Sequence, residues 1–332
     1  MAISLVTGGA GFIGSHVAQC LVEIGHEVVV LDDLSSGFED QVPKDAVFIK
    51  ASVLDKEKIQ RLFNKYRFNH VFHLAAYAAE GLSNFIKHFN YQNNLIGSIN
   101  LINSSVNHNV ECFVFTSSIA VYGSLKPPFV ESADLKPEDS YGIAKLAVEM
   151  DLRVTKQLFG LEYIIFRPHN VYGEHQNIGD PYRNVIGIFM NQIMQNKPMT
   201  IFGNGQQTRA YTDISDVATI IADSVNVAEA RNAVFNIGSD EFYTLNELAE
   251  MVSEAMGVSR NVVYLPPRSE VKHAYCSHER IRRVFGPRPT VDLKDGLKRM
   301  ANWSKKIGAR SSSDYKSIEI SKNLPPIWVK QT

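Results

Sequence analysis

The sequence predicts an α/β fold built on a doubly wound parallel sheet. Three observations predict it. Short, nearly continuous apolar runs alternate with segments of helical periodicity from the N-terminus to about residue 170, the pattern of a parallel sheet covered on both faces. The first run, Ile3 to Val6, leads into a glycine turn and then a helical segment. The second, Glu27 to Leu31, ends on an acid, Asp32.

Gly8, Gly11 and Gly14 fall as G-x-x-G-x-x-G. Without side chains they allow a tight turn, close approach of backbone to a pyrophosphate, and close packing of helix on strand. The helical segment, Ser15 to Ile24, carries Val17, Ala18, Leu21 and Val22 at helical spacing and stops at Gly25. Its N-terminus offers free N–H groups and a positive dipole end to phosphates. Asp32 stands 18 residues after Gly14, near the spacing at which an acid accepts hydrogen bonds from an adenosine ribose. The stretch predicts dinucleotide binding, and a carboxylate, which repels a 2′-phosphate, favours NAD over NADP.

Further elements follow in order. Ala46 to Ala51 predicts a third strand, and Asp55 to Tyr66 a helix with Ile59, Leu62 and Phe63 on one face. His70 to Ala75 is a fourth strand, Tyr91 to Val106 a long helix, Cys112 to Thr116 a fifth strand, Ser140 to Phe159 another long helix, and Glu162 to Phe166 a sixth strand. In such sheets ligands lie beyond the carboxyl ends of the strands. That singles out Asp32, Ser52, Ala75-Ala76, Thr116 to Ser118, and Arg167 to Asn170. Beyond Gly173 the pattern becomes irregular. Helices are predicted over Val185 to Asn196, Asp213 to Val225 (capped through Asp213 and Asp216), Leu245 to Met256 and Leu293 to Trp303. Met199 to Phe202 is a short strand and Ala233 to Ile237 a further sheet strand. The tail from Ser311 has no strong periodicity.

With 332 residues the chain has room for a large core and two domains. A net charge of −1 points to neither a nucleic-acid nor a membrane partner. Cys20, Cys112 and Cys276 show no metal-ligand spacing; Cys20 and Cys112 lie in apolar segments, as small core residues do in a reducing compartment. The first strand begins at once, leaving no room for a signal peptide. No apolar run approaches the length that spans a bilayer. A cytoplasmic enzyme without a metal is the expectation.

Tyr141 and Lys145 stand four apart at the start of a helix, hence on one face. A phenol titrates near 10, too high for a base at neutral pH. A neighbouring ammonium and a positive nicotinamide ring stabilise the phenolate and make the pair a candidate general base; by spacing alone it is also an ordinary surface pair. Ser117 and Ser118 follow the fifth strand on the cofactor side, where a hydroxyl either bonds a sugar hydroxyl or caps the strand end.

Thr7-Gly8-Gly9-Ala10-Gly11-Phe12-Ile13-Gly14, His73-Leu74-Ala75-Ala76, Thr116-Ser117-Ser118 with Val121-Tyr122-Gly123, Tyr141-x-x-x-Lys145 and Arg167-Pro168-His169-Asn170-Val171-Tyr172-Gly173 occur in this order. Together they resemble the extended short-chain dehydrogenase/reductase family of nucleotide-sugar epimerases and dehydratases, over about residues 2 to 303. The resemblance implies a Rossmann domain (1–170 plus about 211–240) holding NAD tightly, and a smaller α/β nucleotide-sugar domain (about 171–210 plus 241–332). It implies a cofactor site formed by Gly8, Gly11, Phe12, Ile13, Asp32, Asp33, Ser52, Val53, Leu74, Ala75, Ala76, Ser117, Tyr141, Lys145 and Pro168. Tyr141 is implied as base, Lys145 as the holder of the nicotinamide ribose, and Ser118 as the hydroxyl assisting Tyr141. Asn170, Asn184 and Arg209 match sugar-nucleotide positions, and Arg268 a second phosphate-binding arginine, whose fork suits a diphosphate. It also implies a homodimer paired through the helices at 91–106 and 140–159.

Within that family the residues after the fifth strand separate reactions. The 4,6-dehydratases carry an Asp-Glu pair where this chain has Ile119-Ala120, and the decarboxylases a glutamate at the place of Ala120. The remaining reading is a 4-epimerase, with UDP-glucose and UDP-galactose as the expected pair. Alternatives are a UDP-glucuronate 4-epimerase, whose carboxylate arginine is here Asn177 with Arg183 nearby, another nucleotide-sugar 4-epimerase or 4-reductase, and a non-catalytic NAD-sensing regulator. The family's usual Asp on adenine is here Ser52, and His169 replaces a usual aromatic. Tyr275 matches a position that limits room at the sugar C2 substituent, which predicts poor use of N-acetylated sugars.

Overall fold

The structure is a computed structural model that describes residues 1–267, 272–310 and 318–325; Arg268 and the serines at 311–313 lie outside them. The first half alternates as expected: β1 (Ile3–Thr7), α1 (Phe12–Glu23), β2 (Glu27–Asp32), β3 (Val47–Lys50), α2 (Lys56–Tyr66), β4 (His70–His73), α3 (Glu80–Ser83), α4 (Lys87–Tyr91), α5 (Gly97–Asn107), β5 (Cys112–Thr116), α6 (Ser140–Phe159) and β6 (Glu162–Pro168). The second half holds β7 (Val171–Tyr172), α7 (Val185–Met194), β8 (Met199–Phe202), β9 (Thr208–Ala210), β10 (Thr212–Asp213), α8 (Ile214–Asp223), β11 (Ala233–Ile237), β12 (Phe242–Thr244), α9 (Leu245–Met256), β13 (Val262–Leu265), β14 (His273–Ala274), α10 (Glu279–Phe285) and α11 (Leu293–Ile307).

Seven strands form one sheet in the order β11-β6-β5-β4-β1-β2-β3, each pair parallel. Alternate side chains feed two cores, which is why the strands are apolar throughout. Val6, Val30, Phe72 and Val114 pack under α1 and α8, while Leu5, Val29, Val71 and Phe113 pack under α2, α5 and α6. The strand order reverses between β1 and β4, and a crevice opens at their carboxyl ends. His73 fixes that point: its ring bonds Thr7 Oγ1 at 2.7 Å and Ser98 Oγ at 2.8 Å. Burial holds this imidazole's pKa down at about 3, so it is neutral.

The second half packs α7, α9 and α11 around short sheets β8-β13 and β12-β9-β14, with Phe189, Met190, Ile201, Leu248, Leu297 and Met300 in a separate core. Several expected boundaries move. Helix α1 starts at Phe12, with Gly11 as its N-cap, because its first free N–H groups belong at the turn. The helix expected over 91–106 starts earlier, at Lys87, and widens into a π-helical turn over Gln92–Ile96. Within that turn Asn94 pairs with both backbone groups of Tyr77, at 2.8 and 3.1 Å. Asp213 caps α8 by accepting from Ser215 N, whereas Asp216 accepts from Val291 N instead. Among the described residues no helix is long and apolar enough to cross a membrane.

Candidate active site

The crevice continues into the second half as one cleft of about 1190 Å³. Its floor is the first turn. Gly8 has φ +72°, and a Cβ there would lie 2.7 Å from the backbone of Ala75. A Cβ on Gly14 would meet the Gly8 carbonyl at 2.0 Å. The turn therefore closes only on glycine, and bare backbone faces the cleft at the start of α1. Phe12, Ile13, Leu74, Ala75, Ala76 and Pro168 line the walls beside it. Asp32 closes the far end. Its carboxylate accepts from Ala10 N at 3.1 Å and Leu34 N at 2.8 Å, with lone pairs left for a ribose. Burial raises its pKa and those two bonds oppose the rise. Asp33 also lines the cleft, its side chain accepting from Ser35 N at 2.9 Å. Val53 lines it as well. Between Ala51 and Val53, the Ser52 hydroxyl accepts from Leu54 N at 3.2 Å, in the turn before α2.

At the end of β5 and the start of α6 three groups converge. Asp139 caps α6 by accepting from Gly142 N at 2.8 Å, which sets Tyr141 in the first turn. Tyr141 is buried and hydrogen-bonded to Ser118, whose Oγ also accepts from Ala120 N at 3.1 Å. Lys145 lies one turn further, also buried. Its Nζ donates to Thr116 O at 2.7 Å and sits 4.6 Å above the Phe115 ring and 5.7 Å from the Tyr141 ring. Burial pushes the Lys145 ammonium down to about 7, with the Glu149 charge opposing. Burial pushes the Tyr141 phenol above its ordinary value, and the bond with Ser118 opposes. Desolvation thus outweighs the Ser118 bond and the Arg183 charge, the two influences that favour the phenolate.

Ser117 differs from its neighbour. It also lines the cleft, but its hydroxyl donates to Glu149 Oε1 at 2.6 Å. Glu149 in turn pairs with Arg167 at 2.9 and 2.6 Å, and Arg167 donates to the Tyr122 hydroxyl at 2.7 Å. Both partners of this ion pair are fully buried. No sequence pattern singled out Glu149; only its place on α6, four residues beyond Lys145, hints at it.

The remaining expected residues divide. Asn170, Asn184 and Arg209 line the opposite end of the cleft, the first two with positive φ. Asn170 Nδ2 donates to Ala210 O at 3.0 Å, and Arg209 to Thr208 O at 2.9 Å. Arg183 also reaches the wall, bound to Asp180 at 2.7 Å and stacked 4.9 Å over Tyr77. Tyr275 is not a wall residue. Its ring stacks on Phe242 at 4.8 Å, and Ala274 faces the cleft in its place. Neighbouring residues of an extended segment point to opposite sides, so Ala274 and Tyr275 face different surroundings. Sequence reasoning missed a further wall formed by Tyr77, Glu80, Phe85 and Asn93, and a patch of the tail at Asn323, Leu324 and Pro325.

His169 lines the cleft and is braced by a second histidine. Its Nε2 lies 3.0 Å from His278 Nε2, and His278 Nδ1 lies 2.7 Å from Asp240. Gly238 makes the room, since a Cβ there would fall 2.0 Å from that ring.

Residues 4–238 match the model of the NAD dependent epimerase/dehydratase family. The chain is similar to the solved UDP-glucose 4-epimerase of Thermotoga maritima with UDP-glucose, at 35% identity and TM-score 0.86 over 92% of this chain and 99% of that one. It is similar to the UDP-N-acetylglucosamine 4-epimerase of Methanobrevibacter ruminantium in complex with UDP-N-acetylmuramic acid, at 29% identity and TM-score 0.84 over 91% and 97%. A UDP-glucuronic acid 4-epimerase of Bacillus cereus, solved with UDP-glucuronic acid and NAD, is similar at 26% identity and TM-score 0.84 over 92% and 99%.

Proposed function

The chain belongs to the NAD-dependent epimerase/dehydratase family, and from that premise we propose that it is a UDP-hexose 4-epimerase working on UDP-glucose and UDP-galactose. The observation that carries the reading is the convergence of Ser118, Tyr141 and Lys145 beside the glycine turn. In this reading residues 1–170 with about 211–240 hold NAD, and about 171–210 with 241–332 hold the nucleotide sugar.

The residues fit the cofactor. Gly8 and Gly14 leave a cradle that a Cβ would fill, and Asp32 keeps acceptor capacity at the ribose end. Bound NAD supplies a hydride acceptor and a positive ring. Lys145 spends one donor on Thr116 O and has two for the nicotinamide ribose. Tyr141 takes the C4 hydroxyl proton, and Ser118, bonded to the phenol, holds that hydroxyl in line. The 4-keto sugar turns over, and Tyr141 returns the proton after re-reduction on the other face. Asn170, Asn184 and Arg209 hold the nucleotide while the sugar turns. Ile119 and Ala120 present apolar surface where a dehydratase needs an acid and a base, which favours epimerisation over water loss.

The C2 side needs a revised expectation. With Ala274 at the wall, N-acetylated sugars enter as well. Protein incubated without added cofactor should interconvert UDP-glucose and UDP-galactose and also the N-acetylated pair, with kcat/KM values within about tenfold. UDP-glucuronate should react more slowly, because Asp180 neutralises Arg183. Tyr275→Cys should leave the ratio unchanged. Ala274→Tyr should lower kcat/KM for the N-acetylated pair by about tenfold or more. Failure of every UDP-hexose to react would refute the function, and an unchanged ratio in Ala274→Tyr would refute the wall.

A dimer fits the surface of α6. Ile143, Met150, Val154 and Leu158 are exposed along it, as is Ile96 in the neighbouring helix. Such a stripe is covered by a second copy in a two-fold pairing. Light scattering at micromolar concentration should give twice the chain mass; a monomer would rule the pairing out.

A further inference from the structure

Residues 318–325, beyond α11 in the sequence, lie against the cleft. Ile318 joins an apolar cluster with Ala79, Leu82 and Ile86. The Glu319 carboxylate accepts from His88 N at 2.8 Å and Phe89 N at 3.1 Å. The backbone N–H groups of Glu319 and Ile320 both donate to Phe85 O, at 2.9 and 3.2 Å. A turn closed by Leu324 N on Ser321 O at 3.2 Å then lays Asn323, Leu324 and Pro325 along the cleft.

The platform under this segment also holds the reacting end of the site. Ser83 Oγ accepts from Tyr141 N at 3.1 Å, and Asn84 Oδ1 accepts from Ser140 N at 3.0 Å. Glu80 and Arg183 act on the Tyr141 phenol through their charges. The tail therefore covers the side of the cleft where Tyr141 works.

We propose that residues 318–325 are a strap over the sugar, which keeps the keto intermediate in the cleft while it turns; this rests on the 4-epimerase reading. During the reaction the sugar has given its C4 hydride to the cofactor and its hydroxyl proton to Tyr141. A keto sugar that leaves at this point strands the enzyme with reduced cofactor and a protonated phenol. A sugar that must rotate cannot be clamped by many direct bonds. A cover of Leu324 and Pro325 encloses it without fixing its face.

The test uses the full chain with Glu319→Ala, which removes the anchor, and Leu324→Gly, which removes only cover. Calorimetry should show UDP-glucose binding about tenfold weaker in both and UDP binding unchanged. During turnover both should build up the near-ultraviolet absorbance of reduced nicotinamide and lose activity progressively, while the wild type does not. Equal UDP-glucose affinity with no absorbance growth in Leu324→Gly would overturn the strap. So would equal weakening of UDP and UDP-glucose, which would mark a general loosening. If the wild type binds UDP-glucose but converts nothing, the epimerase reading fails, and the affinity difference alone decides the strap. If Glu319→Ala melts early, Leu324→Gly decides.

Discussion

Replacing Tyr141 by phenylalanine is expected to lower kcat by a factor of about 10²–10⁴ and to leave KM for the nucleotide sugar within a few-fold. The ring is buried and packed at the first turn of α6, beside Lys145 and above the platform of Ser83 and Asn84. Phenylalanine fills that space, so the loss is confined to the hydroxyl. That hydroxyl is the group bonded to Ser118, and it is the proton acceptor the reaction needs. Ser118→Ala should cost less, because Tyr141 keeps its place. Steady-state kinetics on UDP-galactose, with circular dichroism to confirm folding, checks both. A Tyr141→Phe protein within threefold of wild-type kcat would remove Tyr141 as the base.

The second large effect concerns stability. Arg167→Met should destabilise the protein by about 3–5 kcal/mol, the usual result of leaving one half of a buried ion pair uncompensated. Glu149 is fully buried, and Arg167 supplies two of its bonds, at 2.9 and 2.6 Å. Ser117 supplies a third, and Arg153 stands 3.6 Å away. Without Arg167 the carboxylate keeps too few partners, and the Tyr122 hydroxyl loses its donor. Adding Glu149→Gln to Arg167→Met should recover more than half of the loss, because the stranded charge is gone. Urea unfolding of the three proteins measures it. A single variant less than about 1 kcal/mol below wild type would show the pair to be energetically neutral.

Much of this was legible in the chain. Continuous apolar strands such as Val28 to Leu31 announce a sheet buried on both faces. The glycines at 8, 11 and 14 announce the turn, since at 8 and 14 a side chain would collide with backbone. The Tyr141–Lys145 spacing placed both groups on one helical face. What stayed hidden depends on partners far apart in sequence. Glu149 meets Arg167 and Ser117, and His169 meets His278, only after folding. Tyr275 and Ala274 differ by one residue, and in extended backbone that reverses which side chain faces the ligand. The strap at 318–325 is held by backbone bonds and one carboxylate, and it leaves no periodic trace. Ser52 follows a strand, and its hydroxyl also closes the next turn, a use the sequence does not announce.

The position of β11 has a consequence for synthesis. It pairs with β6 along Ala233–Ile237, and α8 lies on α1 in the same core. A nascent chain that has reached residue 170 thus has all of its first six strands paired in place but bears an open β6 edge and a bare apolar face on α1. Such edges recruit other strands, and closing them requires segments more than 60 residues later in the sequence to leave the ribosome first. Contacts of that sequence separation slow folding. Cofactor capture and completion of the sheet therefore become late events, and a fragment ending before β11 should be recovered as aggregate.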